Sequence, residues 1–196
     1  MRDFLFCFVP FFVAVDAIGV LPIYMGLTEG LPGIRRRAIV LQSIVTAAVV
    51  STAFLLAGPL VLDMVGVSVP DFMVAGGILL LAISLTDLIT GEKRQRIADA
   101  ETLGAVPIGV PLLSGPAVFT TSILLVNEYG ILLTAFALLI NIAIAGIFFS
   151  FAEPLERFLG NAGSKILSKI ASLFLASIAV MLVRRGVVET LEQVLK

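Results

Sequence analysis

Two long apolar stretches of this 196-residue chain are broken near their centres in matching ways. The first runs from Phe4 to Leu27 and carries Asp16-Ala17-Ile18-Gly19-Val20-Leu21-Pro22 at its middle. The second runs from Leu103 to Val126 and carries Pro107-Ile108-Gly109-Val110-Pro111, then Ser114-Gly115-Pro116. Proline removes an N–H and glycine adds backbone freedom, so neither stretch reads as one continuous helix. Inside a bilayer, broken backbone is tolerated only where protein or a wet cavity satisfies the freed groups. Interrupted spans at corresponding places in two halves of a chain point to a transporter binding site.

The bilayer itself follows from composition. Apolar residues make up 59% of the chain and charged residues 14%, with a mean hydropathy of +1.13. Soluble domains carry about 25% charge. A hydrocarbon core of about 30 Å needs about 20 apolar residues of helix. Six stretches are expected to span: Phe4–Leu27, Ala38–Leu62, Phe72–Thr90, Leu103–Val126, Tyr129–Ala152 and Ile170–Val183. The last is short and is flanked by Lys169 and Arg184-Arg185, whose long side chains can snorkel to the interfaces. A secretory signal peptide competes for the first stretch. Against it, the apolar run resumes past Asp16, and no small-x-small cleavage pattern follows.

Loop charge sets the expected orientation. Arg35, Arg36 and Arg37 follow the first span, Lys93, Arg94 and Arg96 the third, and Arg157, Lys165 and Lys169 the fifth. The loops after spans two and four carry no Lys or Arg. The positive-inside rule puts the three basic loops in the cytoplasm and both termini outside, with the basic end at Arg184, Arg185 and Lys196 dissenting.

The chain also repeats. Ile18-Gly19-Val20 recurs as Ile108-Gly109-Val110, and an offset of 95 sets Leu80 on Leu175 and Gly91 on Gly186. Three spans per half means that the halves enter the membrane in opposite directions. The expected fold is an all-α membrane protein of six transmembrane helices, built as two inverted three-helix repeats with helices 1 and 4 broken near the midplane. Residues 1–91 form the first repeat, 92–102 a cytoplasmic linker and 103–196 the second repeat.

Several residues carry chemistry. Asp16 is a carboxylate within a span, costly unless paired, solvated or protonated; the alternative role is to cap the half-helix that starts near Gly19. Ser114-Gly115-Pro116 reads as a helix start, with Ser or Gly as cap and Pro at the first helical position. Its open N–H groups, from Ala117 onward, favour an anion. Plain kinking is the competing explanation for these clusters. Asn141 is a polar contact or a helix–helix hydrogen bond. Thr120 and Thr121 line a cavity or bond back to their own helix.

Other classes are disfavoured. The chain has no histidine and one cysteine, Cys7, which leaves no nucleophile–base pair for an enzyme and no thiolate zinc site. A net charge of −1 argues against nucleic acid. Neither a cofactor nor a bound metal is expected.

Asp16-x-x-Gly19-x-x-Pro22 followed by Gly26-Leu27-Thr28, Ala75-Gly76-Gly77-Ile78-Leu79-Leu80, and Pro107, Pro111-Leu112 and Gly115-Pro116 together resemble the MarC family along essentially the whole chain. The family usually has Pro after the Asp, where this chain has Ala17, and Gly after the Gly-Pro, where it has Ala117. Relatives called SnatA transport small neutral amino acids such as glycine and alanine. The resemblance therefore implies a transporter of such substrates in the cytoplasmic (inner) membrane. A zwitterion needs an anion site and a cation site close together. The half-helix start at Gly115-Pro116 is expected to hold the carboxylate, and Asp16 with unwound carbonyls around Ala17 and Gly19 the ammonium; Pro22, Gly109, Ser114, Ala117, Thr120 and Asn141 complete the expected substrate-binding residues. A proton or sodium is the expected coupling ion, with homo-oligomerisation left open. The alternative is a membrane-embedded partner or assembly subunit with no transport of its own.

Overall fold

A computed structural model describes residues 2–90 and 102–194. Among them the chain is all-helical, with no strand. Helix α1 (Arg2–Val15) is followed, after Asp16, by α2 (Ala17–Thr28); α3 is Gly33–Val65 and α4 is Val69–Thr90. An irregular wide-turned segment, Gly104–Leu113, leads into α5 (Pro116–Tyr129), then α6 (Ile131–Ser150) and α7 (Ala152–Val194). The linker expected at 92–102 and the basic residues Lys93, Arg94 and Arg96 fall outside the described residues, except for Thr102.

Among the described residues, four stretches are long and apolar enough to cross a membrane: Arg2–Thr28 across its break, Gly33–Gly58, Val69–Thr86 and Ile131–Leu155. Gly104–Leu113 with Pro116–Tyr129 makes a fifth if this pair, bent by 52°, is one span. The expected stretch Ile170–Val183 lies inside α7, a helix of 43 residues whose charged residues at both ends dilute its apolar character. The bundle is apolar on its outer surface as well, as a lipid-facing surface requires: Leu132, Phe158 and Ile34 are among its most exposed side chains.

Packing between the halves is extensive. Helix α4 lies along α7, α3 along the irregular segment, and α1 along α6. Helix α2 packs on α6 and α7, α5 on α3 and α4, and α3 on α6. Glycine permits the closest of these approaches. A Cβ on Gly77 of α4 would stand 2.8 Å from the Ala179 carbonyl oxygen of α7, and one on Gly186 of α7 would stand 2.6 Å from that of Pro70. These are backbone atoms and cannot swing away, so the α4–α7 seam depends on small residues. Leu80 and Leu175, paired by the sequence offset, are both buried.

Four glycines hold a positive φ that L side chains rarely adopt: Gly30 (78°), Gly66 (71°), Gly130 (79°) and Gly160 (66°). Gly30 and Gly66 follow α2 and α3. Gly130 follows α5, and Gly160 breaks α7 shortly after the chain leaves α6.

Polar side chains are satisfied mostly within their own helices. Thr28 donates to the Tyr24 carbonyl, Ser43 to Ile39, Ser122 to Val118, Thr134 to Gly130 and Thr190 to Gly186, each four residues back. Ser51 Oγ donates to Ser114 Oγ at 2.7 Å, and Asn141 Nδ2 donates to the Phe8 carbonyl at 3.1 Å; these bonds tie spans far apart in the sequence.

Candidate functional site

The first break is made by one residue. Asp16 takes a left-handed conformation (φ 44°, ψ 51°) between α1 and α2. Its carboxylate Oδ1 accepts the Gly19 N–H at 3.1 Å and so caps α2. Asp and Asn are the side chains that tolerate this backbone region best after glycine. Gly19 is tied to the cap, because a Cβ there would collide with the Asp16 carboxylate. Asp16 and Gly19 are exposed, Ala17 is buried, and Pro22 is half-buried within α2. Asp16 thus takes the capping role, for a helix that starts at Ala17 rather than near Gly19, and its side chain stays accessible along the start of α2.

The second break is longer. The backbone of Gly104–Leu113 leaves helical geometry at Val106 and Val110, each followed by a cis proline peptide, Val106–Pro107 and Val110–Pro111. Its hydrogen bonds reach five residues, from Ile108 N–H to Leu103 and from Ser114 N–H to Gly109. Helix α3 braces it closely: a Cβ on Gly104 would stand 2.7 Å from the Ile39 carbonyl oxygen, and one on Gly109 2.9 Å from Thr46 Cβ. Gly115 then starts α5 with Pro116 at its first turn, and no side chain caps this end. The Ala117 and Val118 N–H groups therefore begin the helix without an intrahelical acceptor. Gly115 is confined, because a Cβ there would collide with the Pro111 carbonyl oxygen. Ser114, Gly115, Pro116 and Gly109 are buried, whereas Ala117 and Thr120 are exposed.

The two broken spans pack on each other. Helix α1 packs on α5, and α2 packs on the irregular segment. Asn141 belongs to the neighbouring α6. Its Nδ2 donates to Phe8 of α1 and to Ala137, while its buried Oδ1 has no partner.

Three features were not singled out from sequence. Ser51 sits on α3 with nothing local to mark it, yet it fixes Ser114 beside the second break. Tyr24 of α2 stacks on Phe149 of α6, with centroids 4.6 Å apart, and Phe119 of α5 stacks on Phe54 of α3 at 4.0 Å. Tyr24 and Phe119 are 95 positions apart, as are Phe54 and Phe149; this is the offset that pairs Leu80 with Leu175, and it was the available signal. Third, a cleft of about 620 Å³ lies away from both breaks, where Arg36, Arg37 and Glu153 come together.

A family model described as "MarC family integral membrane protein" matches residues 1–191. The chain belongs to the MarC family. Similar MarC relatives span the same length. A UPF0056 membrane protein of Archaeoglobus fulgidus is 30% identical, covering 94% of this chain and 92% of its own. A UPF0056 membrane protein of Methanocaldococcus jannaschii is 29% identical, covering 95% and 97%. The UPF0056 membrane protein YhcE of Escherichia coli is 24% identical, covering 92% and 89%. No solved structure matches this MarC chain.

Proposed function

We propose that this MarC protein is a secondary transporter of small neutral amino acids, of the glycine and alanine class, in the cytoplasmic membrane. It is not an enzyme in this reading. The observation that carries it is that the two broken spans pack on each other, α1 on α5 and α2 on the irregular segment. One break presents a carboxylate, at Asp16, and the other an uncapped helix start, at Ala117 and Val118. An ammonium suits the first and a carboxylate the second. The substrate class comes from the resemblance to SnatA-type relatives.

Alternating access requires two equivalent halves, and the packing supports an inverted repeat. The six spans are α1 with α2, α3, α4, the irregular segment with α5, α6, and α7. Exchange spans one to three with four to six, and the main contacts between halves map onto one another. The α1–α6 contact becomes the irregular segment on α3, α2–α7 becomes α5–α4, and α2–α6 becomes α5–α3. The aromatic stacks exchange as well, and the positive-φ glycines fall two to each half at corresponding junctions.

Both termini lie outside in this scheme. Tyr129, at the end of α5, stacks near Phe6 at the start of α1, while Gly33 at the start of α3 lies near Glu153 at the start of α7. Reporters fused at either terminus are expected to be accessible from outside intact cells, and a reporter inserted between Lys93 and Arg96 only after permeabilisation. Termini on opposite faces would remove the inverted repeat.

Flux tests the function itself. Purified protein in liposomes is expected to take up labelled glycine and alanine under a proton or a sodium gradient, and protein-free liposomes are not. Absence of flux under both gradients, from protein that elutes as a single folded species, would favour the non-transporting subunit.

A further inference from the structure

The cleft of about 620 Å³ is distinct from the two breaks and has its own chemistry. It runs between α3 and α6, with the Tyr24–Phe149 stack as its floor. Val40, Leu41 and Ile44 form one wall, and Ala143, Gly146 and Ile147 the other. Leu41 and Ile147 are 65% and 58% exposed, so the rim opens sideways onto the surface that acyl chains bathe. Both helices are among those apolar enough to span a membrane.

The mouth is charged. Arg36, Arg37 and Glu153 line it. Arg36 fastens the turn before α3, its Nε donating to the Leu31 carbonyl at 3.0 Å while its own carbonyl accepts from the Tyr24 hydroxyl. Glu153 lies against Gly33 at the α3 N-terminus, 3.6 Å from where a Cβ would stand. Arg37 is exposed at the rim, with Arg35 exposed nearby. Two guanidiniums against one carboxylate leave the mouth net positive. Guanidinium matches phosphate geometry, and basic pockets between transmembrane helices recruit lipid headgroups.

We propose that this cleft binds an anionic glycerophospholipid, with one acyl chain between α3 and α6 and its phosphate on Arg37 at the mouth. The site stands apart from transport and holds whether or not the chain moves amino acids. The full-length protein in detergent, titrated with dioleoyl-phosphatidylglycerol or dioleoyl-phosphatidylcholine and read by native mass spectrometry, tests it. The wild type is expected to retain phosphatidylglycerol in preference to phosphatidylcholine. Arg37→Gln is expected to weaken that retention about fivefold, the effect of one basic group on an anionic lipid. Ala143→Trp, which fills the trough, is expected to abolish it, and Arg184→Gln, outside the cleft, to leave it unchanged. Equal retention of the two lipids overturns the proposal. So does wild-type retention by both Arg37→Gln and Ala143→Trp, or displacement of the lipid by inorganic phosphate, which would mark a site for a soluble anion.

Discussion

Gly115→Ala is expected to insert and purify at near wild-type yield while losing most substrate binding. A single added methyl there collides with the Pro111 carbonyl oxygen, a backbone atom held within a segment that α3 clamps on its far side. Overpacking of this kind costs about 1–3 kcal/mol. The turn can relieve it only by rotating the start of α5, which redirects the Ala117 and Val118 N–H groups. Each 1.4 kcal/mol is about tenfold in affinity, so glycine binding should fall about ten- to a hundredfold. Ala117→Gly is the matched control: Ala117 is exposed, and the change removes a methyl without adding bulk. It should bind and transport as the wild type does. Equilibrium binding and liposome flux read the outcome, and wild-type flux through Gly115→Ala would return this break to a structural kink.

Asp16 separates two roles through two substitutions. Asp16→Ala deletes the cap on Gly19 and places an alanine in a left-handed conformation, for a combined loss of roughly 2–3 kcal/mol. It should lower thermal stability in detergent. Asp16→Asn accepts the same hydrogen bond and tolerates the same φ, so its stability should match the wild type. It lacks the charge, and it is expected to lose glycine binding. Asn141 is the alternative substrate acceptor, with its buried Oδ1 unpartnered. An Asp16→Asn protein that still binds glycine would make Asp16 the anchor of α2 alone.

The second break was legible because glycine and proline act locally, whereas the first is made by the left-handed Asp16, with Gly19 and Pro22 inside α2. Gly115 as cap with Pro116 at the first turn follows directly from residue order, and that is how α5 begins. The accessibility of Asp16 was not legible. Sequence gives its depth within a span, whereas the side on which it emerges depends on the twist between α1 and α2. The last span was blurred for a different reason: α7 runs on from Ala152 to Val194 through charged flanks, so no change in composition marks where it meets lipid. Ser51 and the cleft near Arg37 depend on which helices lie beside α3. That adjacency is a property of the bundle and leaves no trace in a single segment.

The way polar groups are satisfied bears on how such a protein is assembled after synthesis. Hydroxyls that bond four residues back are already quiet when their helix is alone in lipid. Most spans can therefore leave the insertion machinery singly, without waiting for neighbours. Gly104–Leu113 differs, since its irregular backbone needs α3 beside it before it meets hydrocarbon. The bond from Ser51 to Ser114 then records that the two have met, and the bond from Asn141 to Phe8 does the same for α6 and α1. Biogenesis on this view has an order imposed by chemistry: α3 must be in place, or held at the exit, when residue 104 arrives.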